Sequence, residues 1–179
     1  MKEIMEQKEP MPSFYSRDEL DSIGFASVGQ EVFISRKASI YGAEKISIGN
    51  HVRIDDFAVL SGRIAIEDYV HIAVFTSLFG GNAGIVIGNF ANLSSRIAVY
   101  ALSDDYSGEF MTNPMVGEKY KNTIERKVVI GKHAIVATGV TVLPGVSLGE
   151  GSAVGAMSLV KEDVEPWTIA AGIPAKPIK

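Results

Sequence analysis

The sequence predicts an all-β solenoid, a parallel β-helix, on three observations. Six aliphatic residues stand at strict six-residue spacing: Ile48, Ile54, Leu60, Ile66, Ile72 and Leu78. A second ladder repeats that spacing through Ile130, Val136, Val142, Leu148, Val154 and Val160. Four residues after most rungs comes a small or β-branched residue: Val52, Ala58, Ile64, Val70 and Thr76, then Ala134, Val140, Val146, Ser152 and Ser158. On an α-helix a step of six turns the chain by about 600°, so successive rungs leave the face. On a strand an even step returns each rung to the same side, and the residue at i+4 shares it. Each hexad is therefore a short strand with two inward residues and a turn. Such a unit buries its apolar face only against neighbouring copies.

The elements follow in order along the chain. Residues 1–12 are polar, end in Pro-Met-Pro and predict a loose segment. Ser16-Arg17-Asp18-Glu19 reads as a capping box that opens a short helix ending near Gly24. That helix is placed to cover the open end of the coil. Repeats begin at Val28, Ile34 and Ile40, slip by two residues at Ile46/Ile48, then hold to Leu78. Three extra residues around Gly80-Gly81-Asn82 reset the ladder to Ile87, Leu93 and Val99. Residues 101–126 have no period, and a structureless stretch of that length inside a repeat protein points to function. Its aromatic residues Tyr106, Phe110 and Tyr120 predict packing. The tail from Glu162 loses the hexad register and is expected to leave the coil. The division is thus 1–27 (tail and capping helix), 28–162 (the β-helix with loop 101–126) and 163–179 (the C-terminal segment).

Composition narrows the function classes. The 179 residues suffice for one domain with a core. The net charge of −4 and the lack of a dense Lys/Arg block argue against a nucleic-acid surface. With no cysteine there is neither a disulfide framework nor a thiolate metal site. No apolar run approaches the roughly 20 residues that span a membrane, and the charged start lacks the apolar stretch of a signal peptide. A cytoplasmic setting without membrane insertion is the expectation.

Hexads such as Ile130-Gly131-Lys132-His133-Ala134-Ile135 and Leu148-Gly149-Glu150-Gly151-Ser152-Ala153 resemble those of the hexapeptide-repeat acyltransferases. The stretch VTVLPGVSLGEGSAVGAMSLVKEDVEPWTIAAGIPAKPIK is similar to the closing signature of the galactoside and maltose O-acetyltransferases. FYSRDELDSIGFASVG, ASIYGAEKISIGNHVRIDDF and the SDDYSG element resemble the dTDP-4-amino-4,6-dideoxyglucose N-acetyltransferases. The resemblance covers residues 13–179. It implies a left-handed coil, a homotrimer with acyl-CoA in the clefts between subunits, and acetyl transfer from acetyl-CoA to a sugar. The acceptor it implies first is the amine of a nucleotide-linked amino-deoxysugar of surface-polysaccharide biosynthesis; the alternative is O-acetylation of the galactoside type.

Acetyl transfer from a thioester needs a nucleophile freed of its proton, stabilisation of the oxyanion and a grip on CoA. Histidine is the usual base. His51 and His133 fall at i+3 of their hexads and read as solvated corner residues. His71, at i+5 directly before inward Ile72, points out from a flat face in an apolar setting. It is a candidate base, or a histidine satisfied at a subunit interface. The loop that carries the catalytic histidine in the galactoside branch has none here; it offers Asp104 and Asp105. Either aspartate takes over as base or orients His71 from a neighbouring subunit, or the acceptor is an amine that asks less of the protein. Both aspartates also fit a simple turn.

The resemblance carries CoA contacts to Thr138 (a hydroxyl facing the pantetheine), Gly155 and Ala156 (a backbone amide approached past small side chains) and Lys161. It carries the adenosine phosphates to Lys176 and Lys179. It calls for no metal. Two rivals share the coil: a γ-type carbonic anhydrase holding zinc through histidines of two subunits, and a non-catalytic scaffold. The three histidines lie in different registers, which argues against the first, and the patterned loop argues against the second.

Overall fold

Three hexads make one coil, so rungs eighteen residues apart stack directly. The computed structural model describes residues 13–179; the stretch 1–12, expected to be loose, lies outside the described residues. Arg53 pairs with His71 and Ile46 with Ile64, each eighteen residues on and each in a parallel register. The coils wind as a left-handed parallel β-helix with three flat faces. The first face stacks Ser27–Val28, Ile46–Ile48, the ends of Val59–Ile66 and Ser77–Ile87, Val128–Ile130 and Ser147–Leu148. The second stacks Phe33–Ile34, Arg53–Ile54, His71–Ile72, Asn92–Leu93, Ile135–Val136 and Ala153–Val154. The third stacks Ser39–Tyr41, the starts of Val59–Ile66 and Ser77–Ile87, Ala98–Tyr100, Thr141–Val142 and Leu159–Val160.

Both ladders lie inside the coil: Ile54, Leu60, Ile72, Val136 and Val142 are fully buried, as are the i+4 residues Val52, Ala58, Thr76, Ala134 and Val140. Each large aliphatic side chain removed from water stabilises the fold by about 1.5–3 kcal/mol. The interruptions act as the spacing requires. Ile34 pairs with Ile54, twenty residues on, which absorbs the two-residue slip. His71 pairs with Asn92, twenty-one residues on, which absorbs the three-residue excess. That excess forms a bulge where two long strands round a corner. The glycine after many rungs has a steric cause. A Cβ on Gly131 would stand 2.6 Å from the carbonyl oxygen of Leu148 in the next coil, so the glycine lets the coils close up.

The N-terminal helix runs Arg17–Ile23, with the Ser16/Glu19 capping box formed and Gly24 in the left-handed region. Leu20 is buried against the end of the core. The corners carry non-glycine residues at positive φ: His51, Tyr69, Phe90 and His133 in one column, Phe57 and Phe75 in another. Each costs roughly 1–2 kcal/mol in the left-handed region. Ring stacking offsets part of this, with successive centroids at 4.5, 4.8 and 5.0 Å from His51 to His133.

Two expectations need correction. The insertion 101–126 is not structureless: Leu102–Asp104 pairs antiparallel with Thr123–Glu125, and Glu118–Tyr120 forms a 3₁₀ turn. It is an arm rooted at the 80–84 bulge, where Asn82 donates to Glu125 at 3.2 Å. Nor does the tail leave the coil at once. Val164 bridges to Leu148, Ile169–Gly172 joins the second face beside Ala153–Val154, and Ala170 is buried. Only then does the chain reverse into Ala175–Pro177. The hexad register is lost because Ala153 and Ile169 are sixteen residues apart instead of eighteen.

Candidate active site

Where the arm leaves the third face it closes a cleft of about 680 Å³. The row one residue beyond the inward rungs supplies its floor: Phe79, Tyr100 and Leu143. Phe79 and Tyr100 occupy paired positions on adjacent strands and stack at 5.1 Å and 18°. The arm supplies Leu102, Asp104 and Tyr106. The site is thus an aromatic wall facing a strand that carries one acid.

The two aspartates of the arm have different surroundings. Asp105 is a turn former: its carboxylate accepts from the Ser107 backbone N–H at 2.7 Å and from the Asn122 amide at 2.7 Å. Bonds from Ser107 above all, then from Asn122, hold its carboxyl below the usual carboxylate range. Asp104 lies in the cleft, and its carboxylate has no hydrogen-bond or ionic partner among the described residues.

His71 stands on the second face, away from Asp104 within the chain. Nε2 lies 2.9 Å from Asp55 Oδ2 and Nδ1 lies 3.2 Å from Asn92 Oδ1, so both ring nitrogens are engaged. Arg53 donates to Asp55 at 2.7 Å. Burial works against the charge of Asp55, but the bonds from His71 and Arg53 outweigh it and leave its carboxyl low. The outward row here includes Phe33 and Ile135, exposed by 42 and 54%. His51 and His133 belong to the corner stack, and His51 pairs with Glu31 at 2.8 Å. Among the described residues no group of three His, Cys, Asp or Glu side chains is placed to hold a metal, and no helix is long and apolar enough to cross a membrane.

The residues expected to meet CoA fall in two groups. Thr138 and Ala156 lie one coil apart on the edge between the second and third faces. The backbone N–H of Met157 donates to Thr138 O and that of Gly139 to Ser95 O, which extends the edge to Ser95. Thr138 Oγ1 donates to Ser95 O at 2.8 Å, so the Ser95 hydroxyl, 2.9 Å away, donates to Thr138. Ala156 is exposed, and its N–H has no acceptor among the described residues. The role of Gly155 within the chain is packing: a Cβ there would come 2.9 Å from the Ala171 Cβ. Lys161 and Lys176 converge on Glu162 at 3.7 and 3.1 Å. The Lys176 bond first, then the charges of both lysines, keeps the Glu162 carboxyl low. Lys179 pairs through its backbone with Ile169. Sequence reasoning missed Phe79, Tyr100 and Leu143. Their signal was present, since each directly follows an inward rung.

No protein-family model matches the chain. It is 52% identical over 163 residues to the dTDP-4-amino-4,6-dideoxy-D-glucose acyltransferase of Escherichia coli, covering 89% of this chain and 84% of the relative. The crystal structure of AntD, an N-acyltransferase from Bacillus cereus, in complex with dTDP and 3-hydroxybutyryl-CoA matches with a TM-score of 0.92. That match is at 52% identity and covers 94% of this chain and 90% of the other. PerB from Caulobacter crescentus, in complex with CoA and GDP-perosamine, shares the fold at 20% identity and a TM-score of 0.62, covering 90% of this chain and 62% of that one. The stacked parallel coils match the fold of the left-handed β-helix acyltransferases. At this identity and coverage, the chain belongs to the family of the dTDP-4-amino-4,6-dideoxyglucose acyltransferases.

Proposed function

We propose that the protein transfers an acyl group, acetyl by the sequence reading, from acyl-CoA to the amine of a nucleotide-linked 4-amino-4,6-dideoxy sugar. The observation that carries this is the cleft itself: a carboxylate, Asp104, without a partner among the described residues, opposite a stacked aromatic wall, in a chain half identical to an acyltransferase for such a sugar. The neutral amine attacks the thioester carbonyl carbon, the C–S bond breaks, and CoA leaves as the thiolate. Asp104 takes the proton that the nitrogen sheds on bond formation. An amine needs no help to become nucleophilic once neutral, which fits an arm without histidine. Phe79 and Tyr100 offer the sugar and its 6-methyl group an apolar surface.

Thr138 and the Ala156 N–H line the edge along which the pantetheine runs, and Lys161, Lys176 and Lys179 answer the CoA phosphates. The protein works in the cytoplasm as a homotrimer, in which the apolar row of Phe33, Ile135 and Ile169 is covered. His71, with both nitrogens bonded, then serves the interface or positions the neighbour's arm. Thiol release from acetyl-CoA, measured with dTDP-linked 4-amino-4,6-dideoxyglucose and with its 4-hydroxyl counterpart, tests the reading. The amine is expected to be acylated at least a hundredfold faster in kcat/KM. Equal rates, or preference for the hydroxyl, favour the galactoside-type O-acetyltransferase, a relative at 25% identity.

A further inference from the structure

The third face meets the first at a corner that three successive coils round differently. Ser61, Phe79 and Tyr100 are paired positions before the corner, and Ile64, Ile85 and Val128 are paired positions after it. Between them the first coil uses residues 62–63, the second 80–84, and the third 101–127, which includes the arm. The turn closes with 62–63 alone, so the excess at Gly80-Gly81-Asn82 is not needed to reverse the chain. Nor does it fill the core: Leu78 and Ile85 on either side are buried, whereas Gly81 and Ala83 are half-buried and Asn82 is exposed. What stands over the excess, one coil on, is the root of the arm.

The two meet at one rung. A Cβ on Gly81 would stand 3.3 and 3.4 Å from Cδ2 and Cβ of Leu102 and 3.2 Å from Oε1 of Glu125, so Leu102 rests on the glycine. Gly81 has a φ of 53°, but His51 and Phe57 hold 55 and 59° at other corners. The contact with Leu102, more than the conformation, therefore asks for glycine. Asn82 Nδ2 donates to Glu125 Oε1 at 3.2 Å. Among the described residues this is the only side-chain hydrogen bond from 102–125 to the rest of the chain. Leu102 and Glu125 face each other across the two arm strands, so the bulge holds both strands at the same level. Leu102 and Asp104, two residues apart, share one side of their strand, and both line the cleft.

We propose that the Gly80-Gly81-Asn82 excess is the seat of the arm, and that Gly81 and Asn82 are positioning residues that set where Asp104 stands. A strand advances about 3.3 Å per residue, so a tilt at the Leu102/Glu125 rung is carried out to Asp104. A misplacement of about 1 Å near the chemistry can cost about a hundredfold in rate. The part assigned to Asp104 rests on the acyl transfer proposed above; the seat itself does not.

The experiment reads amide hydrogen exchange over 102–106 and 122–125 in the full-length protein, together with kcat and KM. The variants are Asn82→Asp, Gly81→Ala, Asn82→Asp/Glu125→Gln, and Asp104→Asn with and without Asn82→Asp. Asn82→Asp sets a second carboxylate against that of Glu125 at an exposed position, so the thermal melt is expected to stay at the wild-type value. Exchange in the arm is expected to rise about fivefold or more. In the same variant kcat falls about tenfold or more while KM for acyl-CoA stays within about twofold. Gly81→Ala moves both readouts in the same direction. The double variant Asn82→Asp/Glu125→Gln restores the bond with the donor on the other side, and both readouts are expected to return to within about threefold of wild type. On top of Asp104→Asn, the Asn82→Asp change is expected to lower kcat by no more than about twofold further, because it acts through Asp104. Unchanged arm exchange in both Asn82→Asp and Gly81→Ala overturns the proposal. Faster exchange with wild-type kcat, where Asp104→Asn is slow, overturns it too. If Asp104→Asn itself keeps wild-type kcat, the proposed base is refuted and exchange alone decides: faster exchange keeps the seat, unchanged exchange removes it.

Discussion

Replacing Asp104 by Asn removes the proposed proton acceptor and little else. The Asp104 carboxylate bonds to no group among the described residues, while the strand Leu102–Asp104 keeps its backbone pairing with Thr123–Glu125. A neutral isostere at a half-buried position away from the core is expected to change stability by no more than about 0.5 kcal/mol. A positioned general base contributes about a hundredfold to ten-thousandfold, which at about 1.36 kcal/mol per decade is roughly 2.7–5.4 kcal/mol of barrier. The drop is therefore expected in kcat, with KM for acyl-CoA within about twofold of wild type. A thiol-release assay across pH sharpens the test. As pH rises the amine is increasingly neutral in solution and the solvent takes its proton more readily, so the defect should shrink. Asp105→Asn is the internal contrast. It weakens the bonds to Ser107 and Asn122 that shape the arm, so it is expected to raise KM for the acceptor more than it lowers kcat. If Asp104→Asn keeps kcat within a few-fold of wild type, the acid is a bystander, and catalysis is positioning alone.

Three further outcomes follow from the geometry. Ala156→Trp is expected to weaken CoA binding at least tenfold, by calorimetry, with the melt unchanged because the side chain is exposed; unaltered affinity removes the pantetheine edge from the account. His71→Ala is expected to cut turnover by less than tenfold and to weaken subunit association in light scattering, whereas a loss of a hundredfold or more with the assembly intact makes His71 the base. Asp55 has a lowered carboxyl pKa, so its contribution to stability is present above the ordinary range near pH 4 and is lost as pH falls through its folded value. Denaturant midpoints should thus fall more steeply below about pH 4 in wild type than in Asp55→Asn, and parallel curves would show that the Arg53–Asp55–His71 bonds do not stabilise the fold.

The coil was legible because its signal is strictly periodic. Ile48 to Leu78 and Ile130 to Val160 name the core, and the slips at Ile46/Ile48 and Gly80-Gly81-Asn82 are the places where stacked partners stand twenty and twenty-one residues apart. The arm was not legible. Thr123–Glu125 is exposed at every position, so no alternation of burial betrays the strand. The tail was misread because its strand keeps the stack at a spacing of sixteen, off the hexad period. In the site, the acidic arm and the Thr138 and Ala156 positions were visible as residue types, whereas Ser95, bonded to Thr138, was not. The bonds that separate Asp104 from Asp105 depend on Ser107 and Asn122, which a period cannot pair.

The chemistry of the bond formed tests the central claim most directly. The protein is incubated with isotopically labelled acetyl-CoA and the dTDP-linked 4-amino-4,6-dideoxy sugar, and the product is examined by NMR before and after mild hydroxylamine. The account predicts one acetyl group on the C4 nitrogen, an amide that survives hydroxylamine, with thiol released in equal amount. An acetyl group on oxygen, lost to hydroxylamine, or acetyl-CoA hydrolysed to acetate and CoA with the sugar unchanged, would contradict it.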